Sequence, residues 1–167
     1  MAMKDALLPE FDHEMAIART LIERVPEDRL TWRPHPKSYT LGELTQHVGN
    51  ISTWVSNMLG EASYDLASST TRARREPLTT RAELLAQFDR NTEAARARIA
   101  ATSDAELMQP WSLIQDGKAL MTLPRIAVLR SFLMNHVIHH RGQLSVYLRL
   151  LDVPVPAMYG ASADEAM

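Results

Sequence analysis

No cysteine occurs among the 167 residues, which excludes disulfide bridges, thiolate zinc sites and a cysteine nucleophile supplied by the chain. Any thiol in its chemistry must arrive on a ligand. Long apolar runs are missing too: no stretch approaches the roughly 18 apolar residues needed to span a bilayer. Basic blocks are equally scarce. Lys and Arg number 18 against 20 Asp and Glu, a net charge of −2, so neither nucleic acid nor membrane is an expected partner. The amino terminus mixes Lys4, Asp5, Glu10 and Asp12 among its apolar residues, unlike a secretory or transit leader. A cytoplasmic location is the expectation.

What remains is a chain with 46% hydrophobic residues, enough for one buried core and one domain over residues 1–167. Leu8, Phe11, Met15, Ala18, Leu21, Ile22 and Val25 recur at steps of three and four, predicting a first helix that ends near Pro26. The stretch Leu30-Thr31-Trp32-Arg33-Pro34-His35-Pro36 reads as a connector, because its two prolines remove backbone donors. Thr40 and Glu43 form a capping box ahead of Leu44, Val48, Ile51, Val55 and Met58, with Gly60 as the end of that second helix. Residues 61–77 have no sustained period and read as a surface loop, within which Arg72, Arg74 and Arg75 make a solvated basic cluster. A second capping box, Thr80 and Glu83, opens a third helix carrying Leu84, Phe88, Thr92, Ala95 and Ile99 and stopping near Ser103. Trp111–Ile114 and Ala119–Thr122 flank Asp116-Gly117, the signature of a short β-hairpin. Pro124 suits the first turn of a fourth helix that runs to about Leu151. Four amphipathic segments of this kind predict an all-α four-helix bundle with a short hairpin between the third and fourth helices.

Histidines interrupt the apolar stripe of the last helix. At about 100° per residue, Leu129, Leu133, His136, His140, Leu144, Tyr147 and Leu151 share one face, and His139 falls to its side. Two imidazoles four residues apart point the same way and can grip one metal ion. The alternative is a pair of hydrogen-bonded core histidines, which leaves two polar rings to be desolvated side by side. His47 lies within the arc of Leu44, Val48 and Ile51 and offers a third ring. Three neutral imidazoles leave coordination positions open, as catalytic sites require. His13 and His35 have no such setting and read as structural or exposed. Asn135, Arg141 and Gln143 can act as outer hydrogen-bonding partners, with Arg141 pointing off the core stripe toward a salt bridge or a subunit contact. Trp32, Trp54 and Trp111 can line a pocket or fill the core.

The same residues resemble the DinB/YfiT-like family of metal-binding four-helix proteins. The likeness covers Leu30-Thr31-Trp32-Arg33-Pro34, the stretch Leu41 to His47, the run His136-Val137-Ile138-His139-His140-Arg141-Gly142-Gln143, and the tail Val155 to Gly160. It implies that His47, His136 and His140 are the metal triad, that the bundle runs up-down-down-up, and that a divalent ion, nickel or zinc, is the cofactor. It further implies a homodimer and a small-molecule substrate. Family members with known activity include transferases and isomerases that use a low-molecular-weight thiol, so the leading expectation is a metal-dependent thiol S-transferase acting on an electrophile. A metal-dependent hydrolase and a non-enzymatic metal- or ligand-binding stress protein are the alternatives. Departures from the family pattern are Ala161, where a proline often follows Tyr-Gly, and the variable position His139.

Overall fold

The computed structural model describes residues 2–67 and 76–166. The first helix, α1, spans Met3–Glu23 and turns Leu7, Phe11, Met15, Ala18, Leu21 and Ile22 into the core. It begins five residues earlier than the apolar period predicts, because its amino end is tied from outside the stripe. Asp5 accepts the Ala2 amide at 2.8 Å, and Asp104 accepts the Met3 amide at 2.8 Å. Both bonds satisfy donors that a helix start leaves without partners.

The second helix is broken in two. Thr40 Oγ1 accepts the Glu43 amide and the Glu43 carboxylate accepts the Thr40 amide, the reciprocal cap that starts α2 at Leu41–Ile51. A single 3₁₀ turn, Ser52–Trp54, then leads into α3, Val55–Gly60. The long third helix, α4, covers Arg81–Ala100 behind the Thr80–Glu83 box, and a one-turn helix, α5, follows at Asp104–Leu107. The last long element has three parts: α6 at Arg125–Val128, a π-helical stretch at Leu129–Met134, and α7 at Asn135–Leu150. In space α1 packs on α4 and α7, and α2 packs on the same two. Four helices therefore share one core, with α1 and α2 on opposite corners.

The expected hairpin is one part of a three-stranded sheet. β1 (Ser63–Asp65) runs parallel to β2 (Pro110–Gln115), which pairs antiparallel with β3 (Lys118–Pro124). Asp116 and Gly117 turn the hairpin with φ of 51° and 75°, as a tight two-residue reversal demands. β1 lies in the stretch read as loop. Three residues are too few for a visible alternation, and the strand exists because β2 offers it an edge. The basic cluster Arg72, Arg74 and Arg75 lies outside the described residues.

Arg141 makes the salt bridge expected of it, off the histidine stripe, but in the core and not at the surface. Its side chain is 1% exposed and ion-paired with the buried Glu14 of α1. It donates to the Glu14 carbonyl at 2.9 Å and also to the Tyr159 hydroxyl, which in turn donates to the Glu14 carboxylate at 2.7 Å. The reason is that α7 touches two helices, so it buries two stripes. Val137 and Arg141 are buried one residue round from His136 and His140, and Arg141 meets α1 through Glu14.

Candidate metal centre

Three side chains from α2 and α7 meet where those helices pack. His47 is set by buried Leu44, Val48 and Ile51, which anchor α2 in the core. His136 and His140 sit one turn apart at the start of α7. Ring centroids are 5.1 Å apart for His47 and His136, 4.4 Å for His47 and His140, and 4.7 Å for His136 and His140. The Nε2 atoms of His47 and His136 approach to 3.3 Å, and one ring nitrogen from each of the three lies within 4.8 Å of the others. Two nitrogens bound to one zinc at tetrahedral angles would stand about 3.4 Å apart. The donor set can therefore close on one ion with small ring movements.

An outer partner selects which nitrogen of His140 faces the centre. Gln143 Oε1 lies 2.8 Å from His140 Nδ1, which places the proton on Nδ1 and the lone pair on Nε2. The Phe132 backbone, inside the π-helical stretch, acts on the His136 ring in the direction that raises its pKa. Burial holds the His136 imidazole below its ordinary pKa, and the neighbouring His140 adds to the effect against the raising influence of Phe132. Burial lowers His140 as well, opposed by Gln143. Neutral rings are what a metal requires.

His139 is exposed and turned aside, with its Nε2 3.2 Å from the Gln143 amide nitrogen. His13 and His35 are exposed and are not part of the converging group, and Asn135 is exposed. Among the described residues, the triad is the one group of three or more His, Asp or Glu able to converge on an ion, and it contains no carboxylate. The tryptophans divide. Trp111 is fully buried and donates to Asn57 Oδ1 at 3.2 Å; Trp54 packs on Tyr64. Only Trp32 is connected to the centre, edge-on to Tyr147 at 5.6 Å. Sequence reasoning missed Tyr39, whose ring lies 5.8 Å from that of His47. Its one signal was its place immediately before the capping threonine, whose geometry fixes the entering chain.

The DinB superfamily model matches residues 10–144. The chain belongs to the DinB superfamily. This DinB-superfamily chain also matches solved structures at low identity. A DinB-like protein from Bacillus cereus superposes with a TM-score of 0.73 at 17% identity, over 93% of this chain and 97% of that one. The DinB-like YjoA of Bacillus subtilis gives 0.68 at 20% identity, over 89% and 95%. YfiT of Bacillus subtilis, described as "a probable metal-dependent hydrolase with an unusual four-helix bundle topology", gives 0.56 at 16% identity, over 87% of each chain. No curated protein matches the chain. At these identities the structures establish the fold, and the four-helix bundle in up-down-down-up order stands. No described helix is long and apolar enough to cross a membrane.

Proposed function

We propose that His47, His136 and His140 ligate one divalent ion, nickel or zinc, and that the centre transfers a low-molecular-weight thiol to an electrophilic small molecule. The observation that carries this reading is a converging group of three half-buried imidazoles that, among the described residues, includes no carboxylate. Imidazole donors suit nickel and zinc, and three of them leave positions open. Bound there, a divalent ion supplies a Lewis acid that lowers the pKa of an incoming thiol or water.

The side chains do the rest. Holding an ion would use one ring lone pair from each of His47, His136 and His140, and the nitrogen so used could neither accept nor deliver a proton. Gln143 holds His140 in the required tautomer. Water activation calls for a base beside the centre. The remaining candidate, His139, has its Nε2 engaged by Gln143. A thiol, whose ordinary pKa is near 8.5, needs less help to ionise than water does. The ring set therefore favours sulfur over water as nucleophile, and the chain's lack of cysteine leaves no internal thiol to compete.

The test is metal analysis of tag-free protein, with thiol consumption followed in the presence of a conjugated electrophile and ester cleavage followed in parallel. Wild type should carry one ion per chain and consume thiol, and His136→Ala and His140→Ala should lose both properties. Stoichiometric metal in both variants would remove the triad. Ester cleavage without thiol consumption would replace transfer by hydrolysis.

A further inference from the structure

We infer that Tyr39 is a specificity-determining residue, a ledge on which a planar, electron-poor electrophile lies beside the histidine centre. The inference rests on the reaction class proposed above and adds the shape and electronics of its acceptor. The phenol ring lies at 29° to the His47 imidazole with centroids 5.8 Å apart. Rings stacked centre over centre would be nearer about 3.5–4 Å, so the two rings are not in full face-to-face contact. Tyr39 is 49% exposed, a large exposure for an aromatic residue in contact with a candidate ligand.

The ledge is nevertheless held firmly. Tyr147, itself wedged edge-on against Trp32, donates its hydroxyl to the Tyr39 carbonyl at 3.1 Å. Thr40 begins the α2 cap directly after it. The Leu41 amide donates to the Trp32 carbonyl at 2.8 Å and the Gly42 amide to the Leu30 carbonyl at 2.9 Å. A Cβ at Gly42 would stand 3.1 Å from that same Leu30 oxygen, so glycine permits the close crossing. Fixing the backbone on both sides while half the residue faces solvent adds little to the core, but it is what a preorganised binding surface needs.

The chemistry of the ring names the guest. A phenol face carries the negative side of the aromatic quadrupole and pairs best with an electron-deficient π system. Conjugated carbonyl and nitroaryl compounds have that character and are also targets of thiol attack. For a conjugated carbonyl the atoms balance without an oxidant. The sulfur–carbon bond forms at the β-carbon, the alkene π pair moves to the α-carbon, and the thiol's proton ends there with nothing leaving. Trp32 and Tyr147 act through Tyr39 and are positioning residues.

The experiment is calorimetric titration of metal-loaded protein with 1,3-dinitrobenzene, which is planar, electron-poor and without a leaving group, against nitrocyclohexane. Metal content and thiol consumption are measured on the same samples. Tyr39→Phe and Tyr39→Trp should keep the preference for the planar probe, while Tyr39→Leu should weaken its binding about 3- to 10-fold with metal content unchanged. Equal affinity of Tyr39→Leu and wild type would overturn the ledge. Loss of metal from Tyr39→Leu would overturn it as well, by making the ring a support for His47. Selective planar binding through Tyr39 in a wild type that consumes no thiol would leave the ledge standing and remove the proposed transfer.

Discussion

His140 and Arg141 are neighbours on α7 and end in opposite situations. Arg141 faces α1, where its charge is answered by the Glu14 carboxylate, the Glu14 carbonyl and the Tyr159 hydroxyl, all supplied by the chain itself. His140 faces α2, where the groups that meet it are two more imidazoles. One polar cluster is complete; the other is a set of donors aimed at a common point. A buried charge needs full compensation, and the Arg141 cluster has it. One ring nitrogen from each of the three histidines lies within 4.8 Å of the others, so the second cluster is one that a shared cation can complete.

Substitution should separate the two clusters sharply. Arg141→Met leaves Glu14 buried without its partner and is expected to lower unfolding stability by about 3–5 kcal/mol, read by denaturant titration. The double variant Arg141→Met with Glu14→Leu should recover most of that loss. If the single variant is as stable as wild type, the completeness of this cluster is not what holds α7 to α1. Metal analysis of Gln143→Leu tests the other side. Freeing His140 Nδ1 should weaken metal affinity about 10–100-fold with little change in unfolding of the metal-free protein.

Mild acid should loosen the histidine cluster. Burial depresses the folded pKa of both His136 and His140 below their ordinary value of 6.5, so below that pH the unfolded chain binds more protons than the folded one. The stability they contribute is full above pH 6.5 and is lost as pH falls through the lowered folded values. Bound metal should be released over the same window. Melting curves and metal content from pH 7.5 to 5 should fall together, and a flat profile would contradict the burial of these rings. The smallest effect belongs to His139→Ala, which should leave metal stoichiometry unchanged because that ring stands outside the triad.

The apolar period carried the four helices, and the capping boxes at Thr40 and Thr80 fixed two of their starts within a residue. The spacing of His136 and His140 inside an apolar stripe marked them as a pair, whereas joining His47 to them needed a contact between helices that only the family resemblance implied. A salt bridge was expected of Arg141, but its burial was not. A single stripe was drawn on a helix that packs on two neighbours, and a charged residue on the second stripe looks exposed until Glu14 is known to face it. β1 was hidden because a three-residue strand takes its stability from its partner. The π-helical stretch was hidden because its extra residue per turn leaves the composition of Leu129–Met134 unremarkable while shifting the phase of what precedes His136.

The nearest approach of imidazoles in the centre joins positions 89 residues apart in the chain. Contacts of such separation form late, after the loop between them has closed. A partly folded chain holding only the first three long helices lacks two of the three rings. Uptake of an ion with the full donor set is accordingly a mark of finished assembly, and the rate of metal capture during refolding should time the docking of the last helix.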